Sequence, residues 1–357
     1  MVVKSSTKTK TKPQLTLATQ PVSLAIDAMG GDSGPHYQVA GALLALAADP
    51  FLSITLVGDL DQIKTRLAQH QLSHHYAERI HLLHSETWVR MDDAPSFALR
   101  QRKNSSMHLA LRLVAEGQSA ACVSAGNTGA LMAIGRQVLG MLPGIERPAI
   151  STVIPTRRGV SYLLDIGANV DCQAEHLVQF ALMGSVMARC VDGLQRPSVA
   201  LLNVGHESIK GNAQVKLAAQ RLEQHPAVNY QGYIEGDAIF SGDVQLVVCD
   251  GFVGNIALKT SEGLARFLSE QIQQIFGRSL YSRLVSIMAR PILKRLKEQM
   301  DPVRYNGGSF LGLRGSLVKS HGNADARGFA FAVQRAAIEA RQNLPQQLLQ
   351  QLQGFEP

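Results

Sequence analysis

The stretch Cys122-Val-Ser-Ala-Gly-Asn-Thr-Gly-Ala-Leu131 passes from an apolar strand through a small-residue turn directly into an apolar helix. Gly126 and Gly129 allow a sharp turn and close approach of a ligand to the backbone. Ser124, Asn127 and Thr128 set short polar side chains beside the open N–H groups of a helix start. Such a junction suits either capping or an anion. Four more turns share its character: Asp27-Ala-Met-Gly-Gly-Asp32, Asp165-Ile-Gly-Ala-Asn-Val-Asp171, Asn203-Val-Gly-His-Glu207 and Asp250-Gly-Phe-Val-Gly-Asn255. Each follows an apolar run that reads as a strand. In an open parallel sheet the carboxyl ends of the strands share one edge, where ligands bind. The five turns therefore predict one polar, glycine-rich site.

Outward from these turns the chain alternates. Strands are predicted at Val22–Asp27, Ser53–Val57, Arg79–Leu83, Ala149–Ile154, Ser161–Asp165, Ser198–Asn203 and Val244–Asp250. Between them lie helical runs at Gln38–Ala48, 60–70, Pro95–Arg102, Ser105–Glu116, Glu175–Cys190, Asn212–Gln224 and Asn255–Gln274. This rhythm predicts a doubly wound α/β fold: a mostly parallel sheet with helices on both faces. The expected organisation is a basic tail over 1–20, disordered by its composition, one α/β domain over 21–345, and a C-terminal tail over 346–357.

A chain of 357 residues that is 45% hydrophobic and 18% charged can bury a large core. Its net charge of +7 and pI near 9.3 point to an anionic partner: a phosphate-bearing substrate, an acidic carrier protein, an anionic lipid surface or nucleic acid. With 5% aromatic residues and no finger-like Cys/His spacing, nucleic acid is disfavoured. Cys122, Cys172, Cys190 and Cys249 stand singly, as reduced thiols of a cytoplasmic protein do. No apolar run is long enough for a transmembrane helix.

The G-x-G-x-x-G fingerprint, the G-x-x-x-x-G-K-[ST] loop, H-E-x-x-H and G-x-S-x-G are all missing, so nucleotide, zinc-hydrolase and serine-triad chemistry lack local support. The turns instead offer Asn127 and Thr128, with Lys210 just before one predicted helix and Lys259 one turn into another. That set suits a small oxyanion such as phosphate. Further on, Arg278, Arg283, Arg290, Lys294, Arg295, Lys297 and Arg304 outnumber Glu298 and Asp301, while Leu280, Leu284, Ile287 and Met288 recur at helical spacing and Pro291 interrupts the helix. A protruding amphipathic hairpin over about 276–303 is predicted, fit either for an anionic membrane surface or for packing against the protein itself.

The runs Ile26–Asp32, Ser105–Met107, Ser124–Leu131, Arg147–Ala149, Asp165–Cys172, Gln179–Ser185, Asp250–Asn255 and His321–Gly322 together resemble the bacterial phosphate acyltransferase family PlsX, in order from about residue 21 to 340. One departure is Gly205-His206-Glu207, where the resemblance leads one to expect Gly-Glu-Glu. The resemblance implies a fold similar to that of the isocitrate and isopropylmalate dehydrogenases and the phosphotransacetylases. It implies transfer of a long acyl chain from acyl carrier protein to inorganic phosphate, giving an acyl phosphate for a membrane glycerol-phosphate acyltransferase. It further implies a cytoplasmic, peripherally membrane-associated homodimer with no metal or redox cofactor.

On that footing Lys210, Asn127, Asp250 and His321 are the expected catalytic residues. Asp27, Gly30, Gly31, Ser124, Gly126, Thr128, Asn169, Glu207, Asn255 and Lys259 are expected to bind substrate, and Leu280, Leu284, Ile287 and Met288 to touch the membrane. Two other readings stay open at this point: a dehydrogenase of the similar fold, and a non-enzymatic scaffold for lipid-synthesis enzymes.

Overall fold

The structure, a computed structural model, describes residues 19–70, 72–277, 285, 287–291 and 301–352. Strand β1 (Val22–Asp27) pairs in parallel with β2 (Leu52–Gly58) and β4 (Ala121–Ser124), and β2 pairs in parallel with β3 (Ile80–His84). Both faces of these inner strands are covered, which explains their nearly continuous apolar sequence. Helix α1 (Pro35–Ala48) follows β1, and α2 (Leu60–Ala68) with the short α3 (Leu72–His75) follows β2. Helices α4 (Pro95–Gln101) and α5 (Ser106–Ala115) lead into β4, and α6 (Thr128–Val138) leaves it.

The second half contains β5 (Ala149–Thr156), β6 (Gly159–Leu164), α7 (Ala174–Asp192), β7 (Ser198–Leu202), α8 (Ala213–Glu223), β8 (Asn229–Ile234), β9 (Leu246–Val248) and the long α9 (Gly251–Gly277). The chain then returns through β10 (Gly308–Leu311), β11 (Ser316–Lys319), α10 (Ala326–Arg341) and α11 (Leu344–Leu352). All eleven strands of the described residues form one sheet in the order β3-β2-β1-β4-β11-β10-β5-β6-β9-β7-β8.

The sheet is not unidirectional. β11 runs with β4, but β10 opposes β11 and β5, and β5 opposes β6, so β6, β9, β7 and β8 run against β1 and β4. The cause is local. β5 and β6 are joined through Arg157 and Arg158 alone, with Thr156 opposite Gly159, whereas a parallel crossover needs about a dozen residues. The single shared edge expected from the sequence is thereby corrected. The turns after β1 and β4 lie at one edge of the sheet, and those after β6, β7 and β9 at the other.

Strands β8, β10 and β11 and helices α10 and α11 were not foreseen. The tail expected from 346 is replaced, as far as Leu352, by α11, which buries Leu344 and Leu348 against the α7 core. Most of the predicted hairpin, including Leu280 and Leu284, lies outside the described residues, as does nearly all of the basic tail. Ile287 and Met288 are described, helical and exposed. Among the described residues no helix is long and apolar enough to cross a membrane.

Helices α1 and α10 cover one face of β1, β2 and β4 through Val39, Leu43, Phe329 and Val333, and α5 and α6 cover the other. Helix α7 is apolar nearly all round and forms the centre of the second core with α8 and α11. A buried polar group ties α10 to the second half: Arg335 pairs with Glu339 and donates to the Tyr162 hydroxyl, which donates to Asp192 at 2.6 Å, while Ser309 of β10 donates to Glu339. Glu339 and Tyr162 are nearly inaccessible to water.

Candidate functional site

Asp27, the last residue of β1, is buried and accepts hydrogen bonds from Ser106 Oγ (2.6 Å), Ser124 Oγ (2.7 Å) and the backbone N–H groups of Met29 and Gly30. Burial raises its carboxyl above the ordinary value, opposed by those four donors. With its oxygens occupied, Asp27 shapes the turn. Gly30 is required beside it: a Cβ there would lie 2.7 Å from both Asp27 Oδ2 and the Gly126 nitrogen. The turns containing Gly30, Gly31, Ser124 and Gly126 are therefore pressed together.

Asn127 caps α6 by accepting from the N–H of Ala130 (3.0 Å), and its amide donates to the carbonyls of Met91 (2.7 Å) and Asp93 (3.2 Å). Its side chain thus fastens the segment before α4 over the start of α6, which Thr128 opens.

The end of β11 meets the same place. Ser320 N–H donates to Ser124 O, and Asp32 N–H to Gly322 O, each at 2.9 Å. Lys319 donates from Nζ to Ala125 O at 3.2 Å and also to Ser320 O. His321 is held by Asn306, whose Oδ1 accepts from the His321 N–H. Across these turns lies α9: Glu262 Oε2 accepts from Lys259 Nζ at 2.9 Å, and Glu262 Oε1 stands 3.3 Å from His321 Nε2. Lys259, Glu262 and His321 line a cavity of about 620 Å³ between α9 and the start of α10, shared with Arg266, Asn306 and Asp325.

Electrostatics distinguish two groups here. Loss of water, followed by repulsion from Lys259, lowers Lys319 to about 8 against the pull of Asp32 and Asp27. Burial, opposed by Glu262 and reinforced by Lys259 and Lys319, lowers His321 below its usual value. The imidazole is thus neutral at physiological pH and able to accept or pass a proton.

Lys210, Glu207, Asn169, Asp250 and Asn255 belong to the other edge. The Asp165 carboxylate accepts from the N–H groups of Ile150, Gly167, Ala168 and Asn169 and from Asn169 Nδ2. Asp250 caps α9 by accepting from Val253 N–H at 2.8 Å, and Asn255 packs over Gly167. The Lys210 carbonyl accepts from Asn203 Nδ2 (3.3 Å), and the Lys210 N–H donates to Glu207 O (3.0 Å). His206 donates from Nδ1 to the Tyr233 carbonyl at 3.0 Å and faces Glu235 from the other ring nitrogen. Burial pushes the Cys172 thiol up to about 12 and Cys122 and Cys249 well above the ordinary range, so these three are poor nucleophiles.

Of the expected site residues, the structure gathers Asp27, Gly30, Gly31, Ser124, Gly126, Asn127, Thr128, Lys259 and His321 around one edge. It sets Asn169, Glu207, Lys210, Asp250 and Asn255 around the opposite one. Lys319 and Glu262 escaped notice. Their signals were slight: a lysine two places before His321, and a carboxylate one helical turn after Lys259.

The overall architecture is shared with a phosphotransacetylase from Streptococcus pyogenes (TM-score 0.62, 15% identity, covering 92% of this chain and 97% of that one). It is shared as well with a branched-chain phosphotransacylase from Enterococcus faecalis V583 (TM-score 0.55, 15% identity, covering 89% and 99%). At those identities the likeness concerns the fold. In sequence, the chain is 54% identical over 325 residues to the phosphate acyltransferase of Pseudomonas savastanoi pv. phaseolicola (strain 1448A / Race 6), covering 91% of this chain and 95% of that protein. It is 50% identical over 337 residues to the phosphate acyltransferase of Alkalilimnicola ehrlichii (strain ATCC BAA-1101 / DSM 17681 / MLHE-1), covering 94% and 98%. The family pattern described as fatty acid synthesis protein matches residues 22–347. By sequence, with an architecture in agreement, this chain belongs to that fatty acid synthesis protein family, alongside the phosphate acyltransferases.

Proposed function

We propose that the protein is an acyltransferase that moves a long-chain acyl group from the thioester of acyl carrier protein to orthophosphate, releasing acyl phosphate for phosphatidic acid synthesis. The observation that carries this reading is the carboxylate of Glu262 held between Lys259 and His321 at a cavity, with Lys319, two residues before His321, close enough to Lys259 to feel its charge. Phosphate is already a nucleophilic anion, so the site has to hold it against the thioester, donate to the oxyanion that forms, and exclude competing water. The start of α6 supplies N–H donors, the two lysines supply charge, and neutral His321 manages the proton. The names of the relatives support the phosphate half of the reaction.

The test is hydroxylamine trapping of product made from long-chain acyl carrier protein and orthophosphate, without metal or nucleotide. Phosphate-dependent hydroxamate is expected, and its absence from folded protein defeats the reading. Lys259→Met should raise KM for phosphate and cut kcat/KM by about 100-fold, the scale for losing one preorganised donor to a developing oxyanion. An unchanged KM for phosphate would move the anion to the opposite edge, where Lys210 and Asp250 stand.

The surroundings support two further parts of the reading. Phe252, Ile256, Leu264, Phe267 and Ile275 are exposed along α9, an apolar stripe suited to a second copy in a homodimer. Ile287 and Met288, both largely exposed, suit contact with an anionic membrane, and the net charge of +7 suits the acidic carrier protein. The protein would then be cytoplasmic and peripherally bound.

A further inference from the structure

We propose that Lys319 is a phosphate-binding residue, its ammonium group forming with Lys259 a two-cation cradle for the orthophosphate dianion. The inference rests on the acyl-to-phosphate reading and adds to it a residue that no glycine-rich turn contains.

Backbone register fixes the side chain in place. Lys319 ends β11 opposite Ser124 of β4 on one side and Gly308 of β10 on the other. Its Nζ reaches the Ala125 and Ser320 carbonyls at the centre of the three converging turns. Those acceptors satisfy two N–H groups but carry no net charge.

The charged groups around it leave its cation under-compensated. Glu262 of α9 is already divided between Lys259 and His321. Asp27 at the end of β1 spends its oxygens on four donors. Asp32, in the turn after β1, is exposed. Lys259 approaches from α9 with a like charge, and its repulsion adds to the loss of water in disfavouring the ammonium form. The two cations, Lys259 exposed and Lys319 half-buried, repel most strongly when the place between them is empty of anions, and a dianion there stabilises both. A lysine that served only to pin two carbonyls would gain nothing from facing Lys259.

The lowered ionisation supplies the sign of the pH effect. Lys319 is charged below about 8 and loses its charge above it, so phosphate affinity should fall as pH rises through that value while orthophosphate itself remains a dianion. Lys319→Arg, charged throughout, should show no such fall.

The experiment is calorimetric titration of inorganic phosphate into the full-length wild-type protein and into Lys319→Met and Lys319→Arg, on both sides of pH 8, with the hydroxamate assay run in parallel. Lys319→Met is expected to bind phosphate at least about tenfold more weakly, the scale for truncating a buried charged partner. Wild type should weaken on the alkaline side and Lys319→Arg should not. If Lys319→Met keeps wild-type affinity and KM for phosphate, or keeps the same alkaline fall, the assignment is overturned while acyl transfer stands. If wild type binds phosphate through Lys319 yet forms no hydroxamate, the assignment stands and the acyl-transfer reading falls. Should Lys319→Met not fold, wild type and Lys319→Arg still decide: an identical pH dependence in both overturns the proposal.

Discussion

Replacing Gly254 with Ala destabilises the protein by about 3 kcal/mol, the upper end of what overpacking costs. Inside an ordinary helix the same change gains about 1 kcal/mol, because glycine is the poorer helix former. Here the sign reverses. A Cβ on Gly254 would overlap the carbonyl oxygen of Asp165 and stand 2.9 Å from Cys249 Sγ. Nor can the Asp165 turn retreat, since its carboxylate is held by four backbone N–H groups and the Asn169 amide, while Gly251 N–H donates to Asn169 O at 2.7 Å. The control is Gly263 on the same helix, where an added Cβ meets nothing within 4 Å. Gly263→Ala should be neutral or stabilising by up to about 1 kcal/mol. Urea denaturation of both variants checks the pair, and equal effects would mean that α9 does not seat on the Asp165 turn.

The second large effect is expected at Glu339. Its carboxylate is the acid partner of Arg335 in the buried group that joins α10 to β6 and β10. Glu339→Ala leaves an uncompensated guanidinium out of water, which costs about 3–5 kcal/mol. The pair itself is worth far less, since its attraction offsets a large desolvation penalty. Replacing both residues, Arg335→Met with Glu339→Leu, should recover most of the loss. A double-mutant cycle by urea denaturation reads the difference. Additive single effects would show that the two side chains do not compensate one another.

Much of the fold was readable because strand and helix alternate with capped junctions. Asp59, Ser105, Asn127 and Asn212 each accept a first-turn N–H where a helix was expected to begin. The reversal of the sheet was missed, though the few residues between Ile154 and Ser161 left no room for a crossover. β10 and β11 were hidden because each is four residues long within a glycine-rich run, and a strand that short has little pattern of its own.

The site was half legible for a related reason. Polar glycine turns can be recognised singly, and Lys259 and His321 were named. What assembles them is the path of α9, which starts at the far edge of the sheet and passes over the end of β11. Glu262 and Lys319 become site residues only through that crossing, which local spacing does not encode.

The strand order also governs when the protein can be finished as it is made. β4 pairs with β1 on one side and with β11 on the other, and Val318 and Phe329 complete the core around Leu24 and Ile26. A chain emerging from the ribosome therefore presents its first strands long before their last neighbours exist. Until β11 and α10 arrive, β4 is an open edge and α1 lacks its covering helix, a state prone to wrong pairing. The segment from β5 to β9 pairs most of its own strands sooner, but β5 still waits for β10 and the α7 core for α11, so the last fifty residues or so complete both halves.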